Sequence, residues 1–201
     1  MNIAVFVSGN GSNLQALIEA ESRGDISPGK ISLVVCDNPQ AYALERAAKA
    51  GKKVFVLEAE KGKAREEYDR QVAERLEKEE IGGIVLAGFM RILSGEFIDR
   101  YKNRILNIHP SLLPKFKGAR SIKDAFEAGT KETGVTVHFV TSELDAGPII
   151  LQEKVSVDEG ETLETLKEKI HRIEHKVYPE VVKLFTRGKL KIQGDKVEIK
   201  E

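Results

Sequence analysis

Residues 2–21 read NIAVFVSGNGSNLQALIEAE, and this stretch decides the fold class. The apolar run Ile3 to Val7 predicts a buried strand, because short continuous apolar runs are typical of strands covered on both faces. The segment Ser8 to Asn13 contains two glycines and predicts a tight turn. The spacing of the apolar residues that follow predicts a helix from Leu14 to Glu21. A strand that passes through a glycine turn into a helix indicates an α/β protein.

The same alternation continues through the first half of the chain. Further strands are predicted at Ile31 to Cys36, Val54 to Leu57 and Gly83 to Ala87, and further helices at Ala41 to Ala50, Ala64 to Lys78 and Gly95 to Tyr101. This βαβ series predicts a parallel sheet with helices on both faces.

The second half adds three strands, one long helix and a terminal hairpin. The predicted strands are Ile105 to Ile108, Val135 to Val140 and Ile149 to Val155, and the helix is Thr162 to Thr186, with a kink expected at Pro179. The runs Leu190 to Ile192 and Val197 to Ile199 flank Gly194-Asp195, which predicts a hairpin.

Composition excludes several classes of protein. Lys plus Arg and Asp plus Glu both number 32, so no net charge points to nucleic acid or to an anionic membrane. The single cysteine, Cys36, excludes an internal disulfide and fits a reducing compartment. No run approaches the ~20 apolar residues of a membrane span, and the first residues do not resemble a signal peptide. We therefore expect a cytoplasmic protein that binds neither nucleic acid nor membrane.

The turn after the first strand has the chemistry of a phosphate site. Backbone N–H groups at a helix N-terminus face outward and attract anions. Gly9 and Gly11 allow a ligand to approach the backbone, and Ser12 and Asn13 add hydrogen-bonding side chains or caps. The alternative is a tight turn without a ligand.

A dinucleotide site is a rival interpretation of the same turn. Leu14 stands where the third glycine of the dinucleotide fingerprint belongs, which favours a mononucleotide phosphate over a pyrophosphate. Asp37, just after the second strand, has the position of a ribose-binding carboxylate and keeps a nicotinamide-dependent enzyme as an alternative.

A second constellation predicts acid–base chemistry. Asn107 and His109 are two residues apart at the end of a predicted strand, so their side chains project on the same side. Pro110 ends that strand, which places both groups at its carboxyl end, where ligands bind in open α/β sheets. Asp145, in a predicted turn, is a candidate carboxylate to keep His109 charged. An amide donor, an imidazolium and a carboxylate are the parts needed to stabilise an oxyanion during acyl transfer.

Four strings, in this order, carry a family resemblance: SGNGSN at 8–13, LAGFMRIL at 86–93, NIHPSLLP at 107–114 and HFVTSELDAGPI at 138–149. Together they resemble the phosphoribosylglycinamide formyltransferases, the folate-dependent enzymes of purine synthesis, over Met1 to about Leu190. Methionyl-tRNA formyltransferases share parts of these strings but add a carboxy-terminal domain. Formyltetrahydrofolate deformylases add an amino-terminal domain before the first strand.

The resemblance implies a formyltransferase fold, a Rossmann-like, mostly parallel twisted sheet with helices on both faces. It implies one domain, residues 1–201, with a mononucleotide-binding half at 1–100 and a catalytic and folate half at 101–201. The implied reaction moves a formyl group from 10-formyltetrahydrofolate to the amine of phosphoribosylglycinamide, with Asn107, His109 and Asp145 as catalytic residues and no metal. The implied partners are these two small molecules, and the implied assembly is a monomer or a homodimer.

The resemblance also assigns binding residues. The ribonucleotide site falls on Gly11, Ser12, Asn13 and Glu174. The folate site falls on Arg65, Met90, Arg91, Ile92, Leu93, Asn107, Thr141, Ser142, Glu143, Leu144 and Asp145, with the apolar side chains of Met90, Ile92 and Leu93 expected to offer surface to the pterin.

The chain departs from its relatives in one loop. Where relatives often have Pro and His after NIHPSLLP, this sequence has Lys117 and Arg120. Arg120 keeps a positive charge but cannot carry a proton, so the contribution of that loop is open.

A metal site is the last alternative. His171, Glu174 and His175 fit the H-x-x-E-H pattern, and two histidines four apart on a helix can share an ion. Pro179 follows closely and no third ligand is evident, so a helical histidine pair with a substrate-facing Glu174 is the simpler interpretation.

Overall fold

The computed structural model describes residues 1–59, 64–194 and 196–200. Its strands are β1 (Asn2–Val7), β2 (Lys30–Cys36), β3 (Val54–Val56), β4 (Gly83–Leu86), β5 (Ile105–His109), β6 (Glu132–Phe139), β7 (Ile149–Ser156), β8 (Leu190–Gln193) and β9 (Lys196–Ile199). Its helices are α1 (Ser12–Ser22), α2 (Tyr42–Lys49), α3 (Arg65–Lys78), α4 (Gly95–Arg100), α5 (Ser121–Glu127) and α6 (Leu163–Thr186). All the strands described join one sheet in the order β3-β2-β1-β4-β5-β6-β7-β9-β8.

The first five strands form the predicted parallel sheet. Strand β1 lies between β2 and β4, and β3 and β5 extend the sheet on either side, all in parallel. The strand order therefore reverses between β1 and β4. In open α/β sheets the crevice at such a switch point, beyond the carboxyl ends of the strands, is the usual place for a ligand.

The direction of the chain changes after β5. Strand β6 pairs antiparallel with β5 and with β7, and β8 and β9 form an antiparallel hairpin at the edge. Gly194 begins the predicted turn of that hairpin with a φ of 60°, whereas Asp195 lies outside the described residues. The sheet is thus parallel from β3 to β5, and beyond β5 it is antiparallel except for the parallel pair of β7 and β9.

Two apolar cores cover the two faces of the sheet, so the prediction of helices on both faces is confirmed. Helices α1, α2, α5 and α6 pack on one face, and α3 and α4 pack on the other. Because successive strand residues point to opposite faces, neighbours such as Val5 and Phe6 belong to different cores although both are fully buried.

The predicted elements are found with boundaries that shift by a few residues. Helix α5 was not predicted from the sequence, although Ile122, Ala125 and Phe126 have helical spacing and pack toward the core. Thr162 caps α6, and the hydroxyl of Thr165 completes the capping box in place of a glutamate. Pro179 lies inside α6.

No helix within the described residues combines the length and apolarity needed to cross a lipid bilayer.

Candidate active site

The side chains of Asn107 and His109 project from the carboxyl end of β5, as the sequence predicted. The strand ends at His109, immediately before Pro110. In the antiparallel pair with β6, Asn107 lies opposite His138 and His109 lies opposite Thr136. The neighbouring strand therefore brings a second imidazole beside the Asn107 amide.

Both ring nitrogens of His109 face acceptors. Its Nε2 lies 2.8 Å from the backbone oxygen of Phe116, and its Nδ1 lies 3.5 Å from Oδ2 of Asp145. A carbonyl oxygen only accepts hydrogen bonds, so Nε2 carries a proton and donates to Phe116. The longer contact leaves the Nδ1 side facing the carboxylate without a short hydrogen bond.

Asn107 is oriented by His138. The Nδ1 of His138 lies 2.8 Å from the backbone oxygen of Phe139, so Nδ1 carries the proton of the neutral ring. Its Nε2 is then an acceptor, and the Nδ2 amide of Asn107 donates to it over 3.2 Å. His138 is 2% exposed, and this burial lowers the pKa of its ring below that of a free imidazole. The neutral ring is thus the form that matches both contacts.

Asp145 completes this group from the loop between β6 and β7. Its side chain is 8% exposed, its Oδ2 accepts the backbone N–H of Gly118 over 2.8 Å, and its Oδ1 lies 3.9 Å from Nε2 of His138. Its φ of 48° is left-handed, a conformation that Asp tolerates better than most residues. The structure therefore brings Asn107, His109 and Asp145 together, with His138 as a fourth member.

The glycine turn lies at the N-terminus of α1. Gly11 is the N-cap residue with a φ of 74°, and no side chain caps the helix. Ser12 and Asn13 were expected to supply hydrogen-bonding side chains or caps; neither caps α1, because the helix begins at Ser12 and both lie in its first turn. Instead the Nδ2 of Asn13 donates to Oε2 of Glu174 over 3.1 Å, which joins two predicted ribonucleotide residues 161 positions apart.

Glu174 is buried on α6 beside two histidines. The Nδ1 of His171 lies 2.9 Å from Oε2 of Glu174, and this hydrogen bond raises the pKa of His171. Burial lowers the pKa of His175. The Glu174 carboxylate is thus hydrogen-bonded to Asn13 and His171. Among the described residues, no group of three or more His, Cys, Asp or Glu side chains is arranged to hold a metal ion.

The loop between β4 and α4 supplies the apolar part of the predicted folate site. Met90 is 69% exposed and Ile92 is also exposed, but Leu93 is 6% exposed and packs into the core beneath α4. The expectation that Leu93 offers surface to a ligand is therefore wrong, because the core takes its side chain. The guanidinium of Arg91 stacks on the ring of Tyr68, 4.3 Å from its centroid.

Ser8 connects this loop to the glycine turn. Its hydroxyl accepts the backbone N–H of Met90 over 2.8 Å. On the other flank, the buried carboxylate of Asp69 accepts the backbone N–H of Ser94 over 2.6 Å, and Ser94 caps α4. The glycine turn and the loop between β4 and α4 are thus joined to each other, and the latter is also held by α3.

The remaining residues of the predicted folate site lie on the protein surface. Arg65 is exposed at the start of α3, and Leu144 is exposed in the loop that carries Asp145. In that loop the hydroxyl of Thr141 donates to the backbone oxygen of Glu143 over 3.3 Å, and Ser142 between them is exposed. Lys117 pairs with Glu143 over 3.2 Å.

Arg120 forms its ion pairs with α5. Its guanidinium pairs with Asp124 and Glu127 on α5, and its side chain is exposed. The charge of Arg120 therefore lies on the surface of α5.

These features define a class of protein. The doubly wound sheet carries a phosphate-type turn after β1, and a half-buried carboxamide, a buried imidazole and a carboxylate meet near the end of β5, with β4 between the two strands. This is the arrangement of an α/β group-transfer enzyme.

Comparison with known proteins identifies the family. Residues 1–182 match the family model for formyl transferases. The chain is 45% identical over 192 residues to phosphoribosylglycinamide formyltransferase of Escherichia coli strain K12. The aligned residues cover 96% of this chain and 90% of that protein. The chain is 42% identical over 182 residues to the Bacillus subtilis strain 168 enzyme of the same name, covering 90% and 92%. The chain belongs to the formyl transferase family.

A solved structure agrees over the whole chain. The crystal structure of glycinamide ribonucleotide transformylase 1 from Symbiobacterium toebii matches with a TM-score of 0.96 and 44% identity, covering 100% of this chain and 94% of that one. The predicted family and the predicted formyltransferase fold are confirmed, and the protein is a formyl-transferring enzyme.

Proposed function

We propose that this enzyme transfers the formyl group of 10-formyltetrahydrofolate to the amine of 5'-phosphoribosylglycinamide, a step of de novo purine biosynthesis. The observation that carries the proposal is the convergence of Asn107, His109 and Asp145 at the end of β5. Strand β5 pairs with β4, with Asn107 opposite Leu86, so this group lies next to the loop that contains Met90. The names of the most similar relatives agree with the reaction.

The chemistry follows from the hydrogen bonds. The amine attacks the formyl carbon, and a C–N bond forms while the carbonyl oxygen becomes an oxyanion. One N–H of the Asn107 amide is held by His138, so its second N–H is available to the oxyanion. Protonated His109, whose Nδ1 lies 3.5 Å from Oδ2 of Asp145, places a positive charge beside the oxyanion. The bond to the folate nitrogen then breaks, and the proton lost by the amine reaches that nitrogen through water ordered by Asp145.

The ribonucleotide is proposed to bind at the glycine turn. The uncapped N-terminus of α1 presents the N–H groups of Ser12 and Asn13 to the phosphate. The Oδ1 of Asn13 is buried and finds no hydrogen-bond partner within the described part of the chain. Glu174, which holds the other end of the same amide, is proposed to bind the ribose and glycinamide portion.

The folate is proposed to bind between the loop at 89–93 and the loop at 141–145. Met90, Ile92 and Leu144 are large apolar side chains exposed on these loops, which suits a flat pterin whose polar edge pairs with backbone groups. Arg91 and Arg65 are proposed to face the anionic tail of the folate. Leu93 contributes through its backbone, since its side chain is buried.

We propose that residues 1–201 act as one domain, as a monomer or homodimer in the cytoplasm, with these two small molecules as its partners and without nucleic acid, membrane or metal.

The test is a spectroscopic assay of tetrahydrofolate release, with and without the ribonucleotide acceptor. We expect release only when both substrates are present, and loss of release in His109→Ala. Release without acceptor would identify a deformylase instead. Phosphate-ligand binding without any formyl transfer would indicate a nucleotide-binding module.

A further inference from the structure

The guanidinium of Arg46, on α2, hydrogen-bonds to both the backbone and the side chain of Asn10 in the glycine turn. The Nε of Arg46 donates to the backbone oxygen of Asn10 over 2.9 Å, and its Nη2 donates to Oδ1 of the same residue over 3.1 Å. Its Nη1 lies 3.5 Å from Oε1 of Gln15 on α1. The planar fork of an arginine is suited to such paired contacts, which a lysine cannot reproduce.

The rest of α2 supports the same turn. The backbone N–H of Ala43 donates to the oxygen of Gly9 over 3.1 Å. A Cβ atom on Gly11 would lie 2.6 Å from Cβ of Ala43, so the turn packs directly against the first turn of α2. The guanidinium of Arg46 itself stacks on the exposed ring of Tyr42, 4.9 Å from its centroid, which fixes its direction.

We propose that Arg46 is a positioning residue for the ribonucleotide. By holding Asn10 at two points, it sets the path of the turn so that the N–H groups of residues 11–13 already converge on the phosphate before the ligand arrives. A preorganised anion site binds more tightly than one that must order on binding, because the entropic cost is already met in the folded protein. The positive charge of Arg46 adds to the field at that site.

This inference rests on the proposed function, since it needs a phosphate at the turn. It predicts a selective effect on the acceptor. In Arg46→Lys and Arg46→Gln, the KM for the ribonucleotide should rise by about tenfold, as expected for the loss of charge-assisted hydrogen bonds. The KM for the folate and the kcat at saturating acceptor should stay within about twofold, because the groups around Asn107 are untouched.

Lys49→Gln is the matched control. Lys49 lies on the same helix and its Nζ is 5.9 Å from the Tyr42 ring centroid, but its ion pair is with Glu45, on its own helix. The substitution removes the same charge from the same helix without touching the turn. We expect wild-type constants for Lys49→Gln, and folate KM values together with circular dichroism report whether each variant is folded.

Inorganic phosphate provides a second measurement. It should inhibit the wild type competitively against the ribonucleotide, and its inhibition constant should rise in Arg46→Lys in parallel with KM. Three results would overturn the positioning role of Arg46. They are wild-type kinetic constants in Arg46→Lys, a loss of kcat in that variant without a change in the ribonucleotide KM, and an equal rise of this KM in Lys49→Gln.

Ser12→Ala separates this inference from the proposed function. If Ser12→Ala raises the ribonucleotide KM while the Arg46 variants do not, only the role of Arg46 fails. If neither substitution changes that KM and phosphate does not compete, the placement of the phosphate at the turn fails as well.

Discussion

The carboxamide of Asn107 has two chemically different ends, and the proposed reaction depends on which end faces the substrate. An oxyanion requires the N–H₂ end, whereas the oxygen would repel it. The tautomer of His138 determines the choice, because its Nδ1–H is held by the oxygen of Phe139 and its Nε2 can only accept. In this scheme His138 does not contact the reacting atoms, but it fixes the orientation of Asn107, which does.

Asn107→Ala should lower kcat by about 100- to 1000-fold, the usual cost of one oxyanion donor. Both KM values should change little, since the donor acts on charge that develops in the transition state. Steady-state kinetics measures the effect. Asn107→Asp is the isosteric comparison, and it should be at least as inactive because a carboxylate cannot donate to an oxyanion. A rise in KM with an unchanged kcat would contradict the oxyanion role.

The orientation of Asn107 should also depend on pH through His138. Protonation turns Nε2 of His138 into a donor that faces the Asn107 amide, so kcat should fall as the pH falls through the pKa of His138. Burial lowers that pKa, so the loss should begin below the range near ~6.5 in which a free imidazole titrates. The pH profile of kcat at saturating substrates measures it.

His138→Gln tests this dependence, because its side-chain oxygen accepts a hydrogen bond but does not titrate. The variant should keep more activity than His138→Phe, which offers no acceptor and should lose about tenfold or more in kcat. Equal kcat values for His138→Gln and His138→Phe at every pH would contradict the orienting role of His138.

At the scale of elements, the loops after β5 and β6 each contain a residue with an uncommon backbone conformation beside the proposed catalytic groups. Phe116 and Asp145 both have left-handed φ values, 52° and 48°. The oxygen of Phe116 accepts from His109, and the N–H of Gly118 donates to Asp145, so the loop after β5 and the loop after β6 hold each other. Such conformations persist only where surrounding contacts enforce them.

Gly147→Ala should disturb this arrangement. A Cβ at Gly147 would lie 1.8 Å from the backbone oxygen of Phe139, so the loop that carries Asp145 must move away from β6. We expect a loss of kcat of about tenfold or more, because small misplacements of positioned groups are costly. The protein should also unfold more easily, by about 1–3 kcal/mol, as for other overpacked sites.

Gly95→Ala is the control for this substitution, since a Cβ at Gly95 would meet no atom within 4 Å. It should leave kcat unchanged and, in the first turn of α4, should not reduce stability. Thermal unfolding and steady-state kinetics of the two variants separate the effects. A fully active Gly147→Ala would contradict the importance of the loop position.

At the scale of the whole molecule, α6 joins distant parts of the chain. Its Glu174 contacts Asn13 on α1, and the hydroxyl of Thr186 donates to the oxygen of Ile26 over 3.0 Å. Its Tyr178 is fully buried and donates to the oxygen of Leu86, at the end of β4, over 2.7 Å. Helix α6, in the second half of the chain, thus contacts α1, the segment after α1 and the end of β4, all in the first half.

Tyr178→Phe should lower the free energy of unfolding by about 1 kcal/mol, the usual net value of a hydrogen bond. For a protein of this size that corresponds to about 2–4 °C in Tm. Tyr42→Phe is the control, because the Tyr42 ring is exposed and its stacking with Arg46 does not need the hydroxyl. Differential scanning calorimetry compares them, and equal Tm values for both variants and the wild type would contradict the contribution of the buried hydroxyl.

Much of this protein was readable in its sequence because the signals were local. The apolar run Ile3 to Val7 and the turn after it predicted β1, α1 and a parallel sheet, since side-chain periodicity depends only on near neighbours. The strings around Asn107 and Asp145 predicted the family and which side chains meet at the end of β5. Helix α5 was missed because it is seven residues long and follows an irregular loop, where propensity alone is weak.

Other features were decided only by the tertiary structure. The core takes the side chain of Leu93. Hydrogen bonds also join Asn13 to Glu174 and Asn107 to His138, residues that lie far apart in the sequence. The sequence by itself determined the elements other than α5, the family and the candidate reactive side chains, because these follow from local pattern and residue chemistry. The burial of Leu93 depends on the core beside α3 and α4, and the orientation of the Asn107 amide depends on the pairing of β5 with β6; both sets of contacts exist only once the chain has folded.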